Sequence, residues 1–164
     1  MSHFLTLVLV NGPKEYHEDV VDSLLAPYCE EIDVEPYKLP CLLCGCNNGY
    51  KAKADCPECQ GTGEATTTYN PDSKWDWYTV GGRWSAYVKG NKISAKALSK
   101  SLLSEKRCFP FAVVTPLGEW HEKAKMLWFA DTEDEKDPDV WKNEVFGLLD
   151  TYKNSTAIVV DCHI

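Results

Sequence analysis

The chain has 164 residues, a formal net charge of −8 and a hydrophobic fraction of 44%. That length suits one domain, or one domain carrying a small inserted module. The composition excludes a disordered, collagenous or coiled-coil chain. No apolar run approaches the roughly 18 residues of a membrane span, and the acidic balance argues against general duplex DNA binding through phosphate neutralisation.

His3–Val10 reads as a strand buried on both faces, with Leu5, Leu7 and Leu9 alternating with Thr6 and Val8. Asn11-Gly12-Pro13 is a turn, and Tyr16, Val20, Val21, Leu24 and Leu25 then form the apolar face of a helix ended by Pro27. Residues 34–38 form a candidate second strand, at an edge because of Pro36. Residues 41–63 hold five Cys and four Gly without apolar periodicity, and read as an inserted module. Further strand candidates are 77–80, 84–88, 111–115 and 120–129, with a tight turn at Thr115-Pro116-Leu117-Gly118. Ser94 caps a short helix through Ala95, Leu98 and Leu102. The acidic loop 131–139 reads as solvated surface, and Asp137-Pro138 opens a helix with Trp141, Val145, Leu148, Leu149 and Tyr152 on one face. Residues 157–164 end the chain as a strand. The expected fold is α+β: a single mixed-sheet α/β sandwich formed by residues 1–40 and 64–164, with residues 41–63 inserted as a zinc knuckle.

Eight Cys are present, and the first apolar stretch lacks the flanks of a signal peptide. A soluble cytoplasmic protein is therefore expected, in which clustered Cys bind metal rather than form disulfides. Cys41 and Cys44, then Cys56 and Cys59, make two C-x-x-C knuckles eleven residues apart. Four thiolates in that pattern can surround one structural Zn²⁺, while Cys46 is spare. Cys29, Cys108 and Cys162 stand alone and are expected in the core. The run from Cys56 to Gly63 resembles the C-x-x-C-x-G-x-G repeat of the cysteine-rich region of DnaJ-type co-chaperones. That resemblance covers residues 41–63, and such modules mediate protein contacts or staple a loop.

Charge is uneven. Residues 1–40 carry a net −6 and residues 64–110 a net +4. The positive region contains Lys74, Trp75, Asp76, Trp77, Tyr78, Arg83 and Trp84, with Gly81 and Gly82 between. In an extended segment Trp75 and Trp77 share one face, and Asp76 and Tyr78 the other. An aromatic could stack on a base, Lys74 or Arg83 could pair a phosphate, and Asp76 could read a base edge or a ribose hydroxyl. The competing reading is a Trp-rich core. His121 and His163 are candidates to join this pocket, with Asp161 beside His163 on the last strand.

The K-W-D-W-Y-x-x-G-G-R-W stretch at 74–84, the G-E-W-H-E-K segment at 118–123 and the D-x-H-I ending at 161–164 together resemble an uncharacterised family of small bacteriophage-encoded proteins with a DnaJ-like zinc knuckle. The resemblance implies phage origin, a host-cell cytoplasmic location and a counter-defence or host-takeover role. The leading expectation is a non-enzymatic protein that sequesters an anionic nucleotide-like ligand through the aromatic and Arg83 pocket. A second is a small phosphodiesterase-like enzyme with His121 or His163 as general acid or base. A third is an adaptor or inhibitor contacting a host protein through residues 41–63. A second copy of the chain is a further partner that the sequence allows.

Overall fold

The computed structural model describes residues 2–44, 51–104, 107–126 and 132–164. They form two compact units: the chain up to Cys29 together with Asp72–Ile164, and Glu30–Pro71. The second unit is thus wider than the 41–63 insertion expected from the cysteines. Gly45, Cys46, the segment 127–130 and Asp131 lie outside the described residues.

The first unit is built on two eight-residue strands, β1 (His3–Val10) and β10 (Thr156–His163). Both are almost wholly buried, which explains their near-continuous apolar sequence. They pair antiparallel along their full length, from His3 opposite His163 to Val10 opposite Thr156. On the far side of β10 lie β4 (Trp77–Val80) and β5 (Lys92–Ser94), which pair with its two ends. On the far side of β1, β6 (Ala112–Val114) runs parallel to it and hairpins into β7 (Trp120–Glu122). The hairpin turn is the expected one: the Gly118 N–H donates to Thr115 O at 3.0 Å, with Gly118 at φ +86°. The result is a six-stranded mixed sheet.

Side-chain alternation along β1 and β10 sends residues to opposite faces. Phe4, Val8, Val10, Ile158 and Val160 pack against Val21 and Leu25 of helix α1 (His17–Leu25). Leu5, Leu7, Leu9, Ala157 and Val159 pack against two other helices. These are α2 (Ala95–Ser104) and α3 (Pro138–Thr151). Helix, sheet and helix layers therefore make the α+β sandwich. Ser94 caps α2 through its hydroxyl, which accepts from the Ala97 N–H at 3.2 Å. Asp137 caps α3, accepting from Asp139 N–H at 2.9 Å.

Several sequence expectations change, among them the 120–129 strand, which bends at residues 123–124 between Trp120–Glu122 and Lys125–Met126. Residues 84–88 are not a strand: the two glycines turn the chain into a 3-10 turn at Gly82–Trp84. On α1, Tyr16 is exposed and His17 takes its place inside, its Nε2–H donating to Gly12 O at 3.2 Å. The candidate second strand lies at Tyr37–Pro40 (β2) and pairs only with β3 (Glu64–Thr67), a two-stranded hairpin of the second unit. In the first unit, β8 (Lys125–Met126) and β9 (Thr132–Glu133) form another short pair. Of the isolated cysteines, Cys162 is in the core, Cys29 is half-buried and Cys108 is exposed. Among the described residues, no helix is long and apolar enough to cross a membrane.

Candidate functional site

In the second unit, the Sγ atoms of Cys41, Cys44, Cys56 and Cys59 all lie within 4.8 Å of one another. Cys41 and Cys56 are 3.7 Å apart, and Cys44 and Cys59 3.6 Å. Thiolates about 2.3 Å from a tetrahedral Zn²⁺ stand about 3.8 Å from each other, so the donor set and its spacing fit such an ion. Cys41, Cys56 and Cys59 are buried. The second knuckle is shaped by backbone bonds from Gln60 N–H to Cys56 O and from Thr62 N–H to Cys59 O. Gly61, at φ +87°, turns the chain between them and brings its own Cα side to within 3.2 Å of Ala54 Cα for any added Cβ. Four sulfur ligands leave no open position, which is the chemistry of a structural metal centre.

A different cluster forms where β1, β10 and β4 meet at one end of the sheet. His3 is the cross-strand partner of His163, and His163 is the partner of Trp77. The period-2 alternation puts these three side chains on one face, with Asp161 two residues before His163. The His3 and His163 rings have centroids 4.9 Å apart, edge to face. Trp77 stacks on His163 at 4.9 Å with an interplanar angle of 17°, and stays 44% exposed.

Each imidazole is held by a carboxylate. His3 Nδ1 lies 3.0 Å from Asp161 Oδ1, and His163 Nδ1 lies 2.6 Å from Asp76 Oδ1. An ionised carboxylate only accepts, so Nδ1 carries the proton and donates in both pairs. With Nδ1 so engaged, Nε2 is the second ring nitrogen of each imidazole, and neither Nε2 meets a hydrogen-bond partner among the described residues. Asp161 is buried, and its second oxygen accepts from the Arg83 N–H at 2.9 Å. Asp76 is pinned in turn, its Oδ1 accepting from the Trp77 N–H at 2.8 Å and its own N–H donating to His163 O at 3.0 Å.

The Gly-Gly pair makes this possible. Gly81 and Gly82 have φ of +79° and +47°. A Cβ on Gly82 would fall 2.5 Å from Asp161 Cβ and Oδ2, and one on Gly81 would fall 2.4 Å from the Asn91 amide. Only hydrogen fits at either position, and the turn it permits brings the Arg83 amide onto the carboxylate.

The remaining expected pocket residues are dispersed. Trp75 is core: its Nε1–H donates to Leu25 O at 3.1 Å and its ring meets Tyr78 edge on. Tyr78 belongs to the α1 side, where its hydroxyl bonds Asp22. Burial raises the Tyr78 phenol, and Asp22 raises it further, so it stays a neutral donor. The expectation that Trp75 and Trp77 share a face therefore fails, because regular strand geometry starts only at Trp77. Lys74 pairs with Glu122 at 2.7 Å. Trp84 is half-buried against the core on the α2–α3 side, and its Nε1 has no partner among the described residues. Arg83 presents an exposed guanidinium.

His121 does not join His163. It sits on β7 at the opposite edge of the sheet, 3.0 Å from Glu144 Oε1 on α3. Burial would raise the Glu144 carboxyl, but hydrogen bonds from Lys136 and His121 outweigh it and hold the carboxyl below its ordinary value. The imidazole that does meet His163 is His3, which the sequence reading passed over. Its signal was the pairing of the two longest apolar strands: antiparallel and end to end, they set a His near one terminus beside a His near the other.

Compared with family models, curated proteins and solved structures, the chain finds no match in any of the three.

Proposed function

We propose that the protein acts on a phosphate-ester bond of a nucleotide-like substrate, with His3 and His163 as a general acid–base pair. The observation that carries this reading is the pair itself. Two adjacent imidazoles have their Nδ1 atoms committed to carboxylates, and their Nε2 atoms have no hydrogen-bond partner among the described residues. Asp161 and Asp76 are positioning residues that set tautomer and ring orientation. Trp77 offers an exposed indole beside the pair for base stacking, and Arg83 a guanidinium for phosphate. The metal of the cysteine cluster is Zn²⁺ in a structural role, since four thiolates complete its coordination. With the phage-family resemblance of the sequence, the proposal extends to a counter-defence or host-takeover role in the host cytoplasm.

Sequestration of an intact ligand uses the same surface without turnover, and one experiment separates the two. The zinc-loaded protein is incubated with a panel of mono- and dinucleotides, denatured, and the released small molecules are weighed by mass spectrometry. Product is expected, with a bell-shaped pH dependence. His163→Gln and His3→Gln are expected to lower turnover by roughly 10²-fold or more, with the far-ultraviolet circular dichroism of the wild type. A bound nucleotide returned intact would replace catalysis with sequestration. Full activity in both folded variants would remove the pair from the mechanism.

A further inference from the structure

Residues 77–104 contain no Asp or Glu, although the chain has 25 of them. The same stretch holds Arg83, Lys89, Lys92, Lys96 and Lys100, all exposed. Among the described residues none of these five enters an ion pair. Other lysines of the sheet unit contrast with them: Lys74, Lys123, Lys125 and Lys136 each lie on a carboxylate. Among the described residues, carboxylates pair those four lysines and none pairs these five cations.

The fold starts that stretch at the imidazole pair. Trp77 stacks on His163, and the Arg83 amide bonds the carboxylate that holds His3. From there β4 and β5 follow one edge of β10, with Trp77 opposite His163 on the α2–α3 face and Lys92 opposite Ile158 on the α1 face. Five residues of strand cover about 17 Å. Beyond β5, Lys96 and Lys100 stand one turn apart on α2. With Lys153 they line a groove of about 330 Å³ whose one carboxylate is Asp150. Arg83 beside the imidazole pair, Lys89 after it, and Lys96, Lys100 and Lys153 at the groove suit a chain of phosphates better than a single nucleotide.

We infer that the substrate is single-stranded RNA, its backbone lying along the acid-free stretch and its own 2′-hydroxyl serving as nucleophile. The inference rests on the acid–base reading above. A single strand supplies an unpaired base for the exposed face of Trp77. RNA also supplies what two imidazoles engaged in proton transfer do not, a hydroxyl next to every phosphodiester. One Nε2 takes the 2′-hydroxyl proton as the 2′-oxygen forms its bond to phosphorus. The phosphorus–O5′ bond breaks, and the other ring, protonated, gives its proton to the departing O5′. The products are a 2′,3′-cyclic phosphate and a free 5′-hydroxyl, and no oxidant, reductant or further reactant is required.

The test uses the full zinc-loaded chain with three probes: a ribodinucleoside phosphate, a 20-nucleotide unstructured RNA, and the same RNA with 2′-deoxyribose at every residue. The wild type is expected to cleave both ribo-probes to cyclic phosphates and to leave the deoxy strand whole. The exposed-surface variant K89Q/K96Q/K100Q is expected to keep its turnover of the dinucleotide. Its KM for the 20-mer should rise tenfold or more, and the slope of log affinity against log salt should shrink by ~2, about 0.7 per lost contact. Cleavage of the dinucleotide with no change for the 20-mer in this variant overturns the backbone track but keeps the acid–base site. Cleavage of the deoxy strand overturns the 2′-hydroxyl route. Cleavage of neither ribo-probe, with a mononucleotide or cyclic dinucleotide turned over instead, overturns the RNA assignment alone; no turnover of any phosphate ester overturns the underlying reading.

Discussion

In the sheet unit, Leu7, Leu9, Val113, Val145, Leu149 and Val159 are completely buried, and two apolar clusters fill both faces of the sheet. Among the described residues of the unit Glu30–Pro71, the only buried cluster is Cys41, Cys56 and Cys59, with Cys44, Ala52 and Ala65 packed beside it. Large aliphatic side chains point outward there instead: Leu42 is 75% exposed and Leu43 59%. At about 25 cal/mol per Å² of apolar burial, the first unit has a hydrophobic reason to fold and the second has very little. What can offset chain entropy in the second is the bond energy of four sulfurs to a metal, worth roughly 10–16 kcal/mol in comparable zinc peptides. The two units thus differ in what can stabilise them, and perturbations should sort cleanly between them.

The largest expected effect is therefore metal removal. A strong chelator, or Cys56→Ser, should erase hydrogen-exchange protection across residues 51–71 and expose them to protease. Protection in β1 and β10 should remain. Protection persisting in the second unit without metal would show that it has a core the cysteines do not explain. The converse perturbation is Trp141→Ala. This side chain is 2% exposed, and its Nε1–H donates to Pro110 O at 2.8 Å. The truncation should cost about 3–5 kcal/mol in chemical denaturation of the sheet unit, while bound zinc per chain stays constant.

The same contrast explains what could be read from residues alone. The cysteine unit announced itself because a tetrahedral thiolate site needs nothing but spacing: Cys41, Cys44, Cys56 and Cys59 meet as C-x-x-C pairs do. The buried strands were equally legible, since Leu5, Leu7 and Leu9 have no polar face to show water. The imidazole site was only half legible. Asp76, Trp77, Arg83 and His163 stood out by composition, but His3 became their neighbour through a register between the two ends of the chain, which no local pattern encodes. His121 looked as good a candidate as His163, and it failed because β6 and β7 carry it to the far edge. Trp75 and Tyr78 looked like ligand contacts because aromatic residues serve cores and binding surfaces with the same chemistry.

A smaller effect tests the glycine turn that joins the core to the site. Gly82→Ala must place its Cβ 2.5 Å from the Asp161 carboxylate, whereas Gly90→Ala, at φ +70°, meets nothing within 4 Å. Both pay for a left-handed alanine, about 1–2 kcal/mol. Only Gly82→Ala should also displace Asp161 and release His3, so its turnover should fall well below that of Gly90→Ala at equal folded fraction. Equal turnover in the two would mean that the carboxylate does not position the ring.

The smallest expected effect concerns acid, which weakens both units for different reasons. Glu144 has a depressed carboxyl pKa in the folded state, so its contribution is fully present above the unfolded carboxyl range and is lost as pH falls through the lower folded value. The side chain is 27% exposed, which keeps the contribution under about 1 kcal/mol. In the second unit, protons compete with the metal for thiolate, and stability is again lost toward acid. The two losses share a direction, but only the second obeys mass action in metal. Raising free zinc should move the acid midpoint of residues 51–71 to lower pH and leave that of β1 and β10 where it is. Glu144→Gln should flatten the acid limb of the sheet unit alone. A zinc-dependent midpoint in β1 and β10 would show that the two units do not unfold independently.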